Sequence, residues 1–200
     1  MIVVVEGISA AGKTRWCRRH AAGHVVEEAQ PAGDVPDRAI DPEGAARFWT
    51  EQSARRWQES LELEARTGLA VCDSDPLKLH YSFGLRRLGL LGERHWNFEC
   101  ARVREAVASR RLGFADLYLV KRIDPETARR QRDADPHRSR RHFDLHVRLG
   151  PPLEQWYQAI EGLLPGRVRW ALPEEGIPNV TPRRREGDPA LFDALLERLG

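Results

Sequence analysis

Gly7-Ile8-Ser9-Ala10-Ala11-Gly12-Lys13-Thr14 sets two glycines, a lysine and a hydroxyl at the spacing G-x-x-x-x-G-K-[ST], and residues of those types at that spacing bind phosphates. Gly7 and Gly12 let the chain turn tightly and aim successive N–H groups at phosphate oxygens, with the amides of Ser9, Ala10 and Ala11 between them. The helix that must follow adds its positive end. Lys13 then neutralises a transferring phosphoryl group, the Thr14 hydroxyl offers a ligand to Mg²⁺, and Arg15 follows as a further contact for the nucleotide. Of the 32 Lys and Arg residues only Lys13, Lys78 and Lys121 are lysines, so a composition that prefers arginine still holds lysine at the motif position. A compact ammonium reaching between phosphates is not replaced by a planar guanidinium.

Acids stand where such a loop needs them. Val71-Cys72-Asp73 ends an apolar run in a carboxylate, which sets an acid beside the cation held by Thr14 and makes Asp73 the second expected metal residue. Asp75, with Pro76 behind it, reads as a helix N-cap and hence as structural. His24-Val25-Val26 ends in Glu27-Glu28, and one of these acids should point toward an acceptor hydroxyl, because the carboxyl ends of parallel strands line the ligand crevice. Further on, Asp124-Pro125 opens a helix carrying Arg129, Arg130 and Arg132, and the run continues around a turn to Arg138, Arg140 and Arg141. Behind a strand of a phosphate-loop protein, residues 125–145 read as an arginine-rich lid, with Arg130 toward the nucleotide and Arg138, Arg140 and Arg141 toward the transferring group.

Strand-like runs at Ile2–Val5, Val25–Val26, Leu69–Cys72, Leu117–Val120 and Val168–Leu172 alternate with helical stretches. Parallel strands need crossovers, so this alternation predicts a three-layer α/β fold: a five-stranded parallel sheet with helices on both faces. One helix runs from Asp41 to Arg66 with Phe48, Trp49, Ser53, Trp57, Leu61 and Ala65 near one face; a second follows Asp75-Pro76, and a third spans about Glu93 to Arg111. Trp49, Trp57, Tyr81 and Trp96 on these helices suit a core, and the same residue types suit a pocket for a flat or apolar acceptor.

Residues 1–200 fit one domain: 41% hydrophobic residues allow a sizeable core and 31% charged residues a solvated surface. The net charge of +2 does not suit general nucleic-acid binding, and no apolar run approaches membrane-spanning length. The first strand leads directly into the glycine loop, so the N-terminus is expected to be structural rather than a signal peptide. Cys17, Cys72 and Cys100 are odd in number and widely spaced, which fits a reduced, cytoplasmic protein whose cysteines are buried filler.

Taken together these residues resemble the nucleoside and nucleotide kinase group of P-loop NTPase proteins, the deoxynucleoside kinases and thymidylate kinases in particular. Val25-Val26-Glu27-Glu28-Ala29 resembles the strand-end segment in which a deoxynucleoside kinase carries its general base, which the resemblance puts at Glu28. Val71-Cys72-Asp73-Ser74-Asp75 takes the place of the acid-arginine pair after the third strand, with Ser74 where the arginine would be and Lys78 or a lid arginine as the substitute. The resemblance implies transfer of a γ-phosphoryl group from ATP or GTP, with Mg²⁺, to a hydroxyl or monophosphate of a small molecule. A nucleoside-like acceptor comes first and an antibiotic or other metabolite second, with Lys13, Glu28, Asp73 and the arginines 138, 140 and 141 as the catalytic set. Pro173 to Arg185 reads as the donor-base side. A polynucleotide end kinase, which needs a basic channel beyond Arg183-Arg184-Arg185, and a nucleotide-dependent switch are the other readings. The expected partners are the small-molecule acceptor and, as an option, a second copy in a homodimer; membrane and nucleic acid are not expected.

Overall fold

A run of valines and isoleucine without polar alternation is stable as a strand only where both sheet faces are covered. The computed structural model, which describes residues 1–28, 34–134, 142–181 and 187–200, puts that run at the centre. β1 (Ile2–Gly7) is buried along its whole length and lies between β3 (Ala70–Asp73) and β4 (Leu117–Lys121); β2 (Val25–Val26) and β5 (Val168–Arg169) are the edges. The order β2-β3-β1-β4-β5 is parallel throughout, as expected. The chain leaves β1 toward one side and returns on the other, so the loop after β1 opens at the point where strand order reverses, the usual crevice of such sheets.

Period-two alternation divides the core. Ile2, Val4, Ala70, Cys72, Tyr118 and Val120 point to one face, where they meet Trp57, Phe83, Trp96, Trp156 and Phe192. Those rings come from α2 (Pro42–Thr67), α3 (Leu79–Arg87), α4 (Glu93–Ala108), α7 (Gly150–Leu163) and α8 (Pro189–Leu199). Val3, Val5, Val71, Leu117 and Leu119 point to the other face, against Trp16 and Cys17 of α1 (Lys13–His20) and partly against Leu172, Ile177 and Val180. The second helical layer is thus thin, one helix supplemented by loop. Fully buried Phe83 and Phe192 each contribute about 1.5–3 kcal/mol. α5 (Pro125–Asp133) and α6 (Phe143–Arg148) complete the order. No helix among the described residues is long and apolar enough to cross a membrane.

Three expectations need correction. The buried face of α2 is Ala45, Ala46, Ala54, Trp57, Ser60 and Leu63, not the stripe through Phe48, Trp49, Ser53, Leu61 and Ala65; Trp49 and Ser53 face a cavity, and Ala65 is exposed. Asp75 does not cap a helix, because α3 starts only at Leu79; its carboxylate accepts instead from the Leu77 amide (2.9 Å) and the Tyr157 hydroxyl (2.9 Å). The last strand stops at Arg169, since the chain then turns to stack Trp170 under the Arg122 guanidinium (3.8 Å to the ring centre) and to carry Leu172 back onto the α1 face.

Candidate active site

The glycine loop closes over the end of β1. Gly7 has φ 154°, and a Cβ there would lie 2.8 Å from the Lys121 carbonyl oxygen, so only glycine allows β1 and β4 to approach this closely. Gly12 (φ 84°) is the N-cap of α1, whose amino end therefore faces the loop. The Lys13 ammonium donates to the Gly7 carbonyl at 2.7 Å and lies 3.8 Å from Glu6. Gly7, Ser9, Ala10, Ala11, Gly12, Lys13, Thr14 and Arg15 all line one cavity of about 760 Å³, so the loop residues expected at the nucleotide come together there.

Glu6, the residue before the motif, is the acid that sequence reasoning passed over. It is 3% exposed, yet it accepts from the Gly7 amide (2.9 Å), the Ser74 hydroxyl (2.9 Å) and the Asp75 amide (3.0 Å), with His80 Nε2 at 3.4 Å. Burial alone would raise its carboxyl; His80, Lys13 and the two amides outweigh that and hold it at about 2. Burial lowers His80, which favours the neutral imidazole. With His80 neutral, Lys13 and the two amides remain as the groups that favour the ionised carboxylate. Asp75 shows the opposite balance: burial and the nearby Glu6 charge push it up to about 7, against the Tyr157 and Leu77 hydrogen bonds.

Asp73 ends β3 beneath the loop, 4% exposed, with Thr14 near its carboxyl. Burial raises its carboxyl, offset in part by Thr14 and Lys13. Its Oδ1 atom is buried without a hydrogen-bond partner among the described residues, as suits a carboxylate that would take a cation. No group of three or more His, Cys, Asp or Glu among the described residues could hold a metal alone. A Mg²⁺ here would rely on Thr14, Asp73, phosphate oxygens and water, the usual octahedral arrangement for that ion.

Arg56 of α2 joins the two acid-bearing strand ends. Only 5% exposed, it donates to the carbonyls of Glu27 (3.1 Å), Asp73 (2.9 Å) and Ser74 (2.9 Å). Beside it, Ser74 takes φ 73°, a conformation uncommon for a residue with a Cβ. Past this staple, the acids of β2 diverge: Glu27 turns outward toward Arg18 (3.5 Å), whereas Glu28 lines the cavity and pairs with Lys78. Burial would raise Glu28, but the charge and hydrogen bond of Lys78 lower it below the usual range. Lys78, one of the two substitutes expected for the missing arginine, lines the cavity; the lid arginines 138, 140 and 141, the other, lie outside the described residues.

At the other end of the cavity, the Arg38 guanidinium lies 5.4 Å from the Trp49 ring centre and 5.6 Å from that of Tyr81. Ser53, Ser82, Glu99 and His146 line the same space. The aromatic residues thus divide between the two roles open to them: Trp57 and Trp96 are core, Trp49 and Tyr81 wall. Arg38, His80, Glu99 and His146 carry no sequence motif.

α5 forms as read, with Asp124 accepting from the Thr127 amide at 2.8 Å. Arg130 is exposed on it, held by Glu126 and Thr127, and is not among the cavity-lining residues. Arg138, Arg140 and Arg141 lie outside the described residues, as do Arg183, Arg184 and Arg185. The start of the expected base-side loop is fixed where Trp16 Nε1 donates to the Pro173 carbonyl at 2.7 Å. Burial pushes the Cys72 and Cys100 thiols up to about 12 and raises Cys17 as well, so none is a ready nucleophile.

No protein-family model matches this sequence, and no curated protein is significantly similar to it. Solved structures are. Deoxyadenosine kinase from M. mycoides with bound dATP superposes with a TM-score of 0.56 at 12% identity, covering 86% of this chain and 90% of that one. The fold is that of a P-loop deoxynucleoside kinase. The same enzyme with products dCMP and a flexible dCDP bound gives 0.55 at 11% identity, over 100% of this chain and 98% of that one. The likeness therefore extends past the phosphate loop to the helices that wall the cavity, at an identity that speaks to fold alone.

Proposed function

We propose that this chain is a phosphotransferase that moves the γ-phosphoryl group of ATP, or GTP, to a hydroxyl of a nucleoside-like small molecule. The observation that carries this reading is the shared cavity: one wall is the phosphate loop with Lys13, and facing it is a strand-end carboxylate, Glu28, held by Lys78. A volume of about 760 Å³ suits phosphates plus one small acceptor better than a polymer strand. Trp49, Tyr81 and the Arg38 plane offer flat surfaces to a ring. The kinase structures that share the fold contain dATP, dCMP and dCDP, which agrees with a deoxynucleoside acceptor. The free cysteines fit the cytoplasm.

In this reading the loop amides and Lys13 hold the β- and γ-phosphates, and Thr14 and Asp73 hold Mg²⁺, which when bound offsets charge on the phosphates. Glu28 orients the acceptor hydroxyl and accepts its proton; Lys78 fixes the carboxylate and keeps it ionised. Arg138, Arg140 and Arg141 bring positive charge to the transferring group. Glu28→Gln keeps the shape and removes the base, so kcat should fall by about 10²–10⁴ while the affinity for ATP stays unchanged. Stopped turnover in Asp73→Asn with intact ATP·Mg²⁺ binding, alongside an active Glu28→Gln, would move the base to the third strand.

A further inference from the structure

The cavity is electrically uneven, and its far end contains an acid with an unanswered oxygen. Glu99, on α4, is 5% exposed and lines the cavity. Its Oε2 meets His95 Nε2 at 3.0 Å, and His95, one turn earlier on the same helix, is 3% exposed. A carboxylate only accepts, so this contact puts the imidazole proton on Nε2. No hydrogen bond reaches Oε1 from any described residue. The other acids of the cavity are answered: Glu6 by amides, a hydroxyl and Lys13, and Glu28 by Lys78. α4 packs on α2 and α3, the helices that bring Trp49, Ser53 and Tyr81 to the wall, so Glu99 belongs to the ring-binding end and not to the phosphate loop.

This oxygen opens into the cavity, and a ring that fills the cavity displaces water from it and must supply a donor in its place. A phosphate cannot, being an acceptor of like charge, and a ring carbonyl in the same spot would set two acceptors against each other. An amino group donates without setting an acceptor against the carboxylate, whereas a ring imide N–H lies between two carbonyls that would. We propose that Glu99, positioned by His95, is the specificity residue of the acceptor end and accepts a hydrogen bond from an amino group on the acceptor's ring. The inference rests on the nucleoside reading and deepens it: the acceptor base is amino-substituted.

The test couples a ligand change to a side-chain change. Deoxyadenosine is compared with purine deoxyriboside, and deoxycytidine with its 4-deamino analogue, each pair differing by the amino group alone. Binding by calorimetry and kcat/KM are measured for the wild type and for Glu99→Gln. In the variant the His95 Nε2–H would hold the amide oxygen and turn the amide nitrogen toward the cavity, a donor where an acceptor stood. The wild type should favour the amino member of at least one pair by about tenfold or more, and Glu99→Gln should bring that ratio close to one, as loss of a buried charge-assisted hydrogen bond requires. A wild-type ratio near one, or a preference that survives Glu99→Gln, overturns the inference and leaves the nucleoside reading intact. Binding of none of the four compounds overturns the nucleoside reading and this inference with it. Should Glu99→Gln not fold, the wild-type ratios decide alone.

Discussion

Glu28 and Lys78 are 50 residues apart in the chain, and their pairing sets the protonation of the proposed base. Lys78 lowers the Glu28 carboxyl, so Glu28 is ionised across the neutral range and loses its charge only as pH falls below the ordinary glutamate region. Lys78→Met removes that charge and its hydrogen bond and leaves burial and the Glu6 charge opposed by Lys13 alone. The acid limb of kcat against pH should therefore move upward in Lys78→Met, with activity lost at a higher pH than in the wild type. An unmoved acid limb would separate Lys78 from the base. Only part of this residue set was legible in the sequence. Lys13, Thr14 and the glycines act through covalent neighbours, so their spacing reveals them. Asp73 and Glu28 stand at strand ends, where a change from apolar to acidic marks them. Glu6, Arg56, His80 and Glu99 acquire their roles from contacts across the fold, and their local surroundings look like any charged residue beside an apolar run.

The elements were read well where period and caps agree. Uninterrupted valines mark β1, Asp41-Pro42 and Asp124-Pro125 mark helix starts, and the observed N-caps accept from Gly44 and Thr127 as the sequence anticipates. The same rule misreads Asp75-Pro76, because Tyr157 of α7 competes for the carboxylate and a turn intervenes before α3. That competition has a thermodynamic consequence. Asp75 titrates near 7 in the fold and near its ordinary value unfolded, so between those pH values the unfolded chain holds fewer protons and stability falls as pH rises. Asp75→Asn removes this slope. Urea unfolding should show the variant gaining on the wild type between pH 5 and pH 8, by on the order of 2 kcal/mol. A constant difference across that range would mean that Asp75 is not protonated in the fold.

For the whole molecule, topology explains why one loop and two strand ends make a site. β1 lies between strands entered from opposite sides, so the crevice opens above it; β2 and β3, on the same side, deliver Glu28 and Asp73 next to each other, with Arg56 locking their backbones. The likeness to deoxyadenosine kinase structures at 11–12% identity shows that this fold withstands replacement of nearly every side chain. It leaves open what the cavity's aromatic and acidic end receives, and there this chain's own residues speak. The direct test is transfer itself. ATP labelled in its γ-phosphate is incubated with Mg²⁺ and the common deoxynucleosides, using wild type and Lys13→Ala side by side, and the products are separated and identified by mass. The wild type should place the label on a deoxynucleoside monophosphate, and Lys13→Ala, folded to the same extent by circular dichroism, should do so at least about a hundredfold more slowly. Label found only in inorganic phosphate, or equal transfer by both proteins, would contradict a phosphotransferase built on this loop.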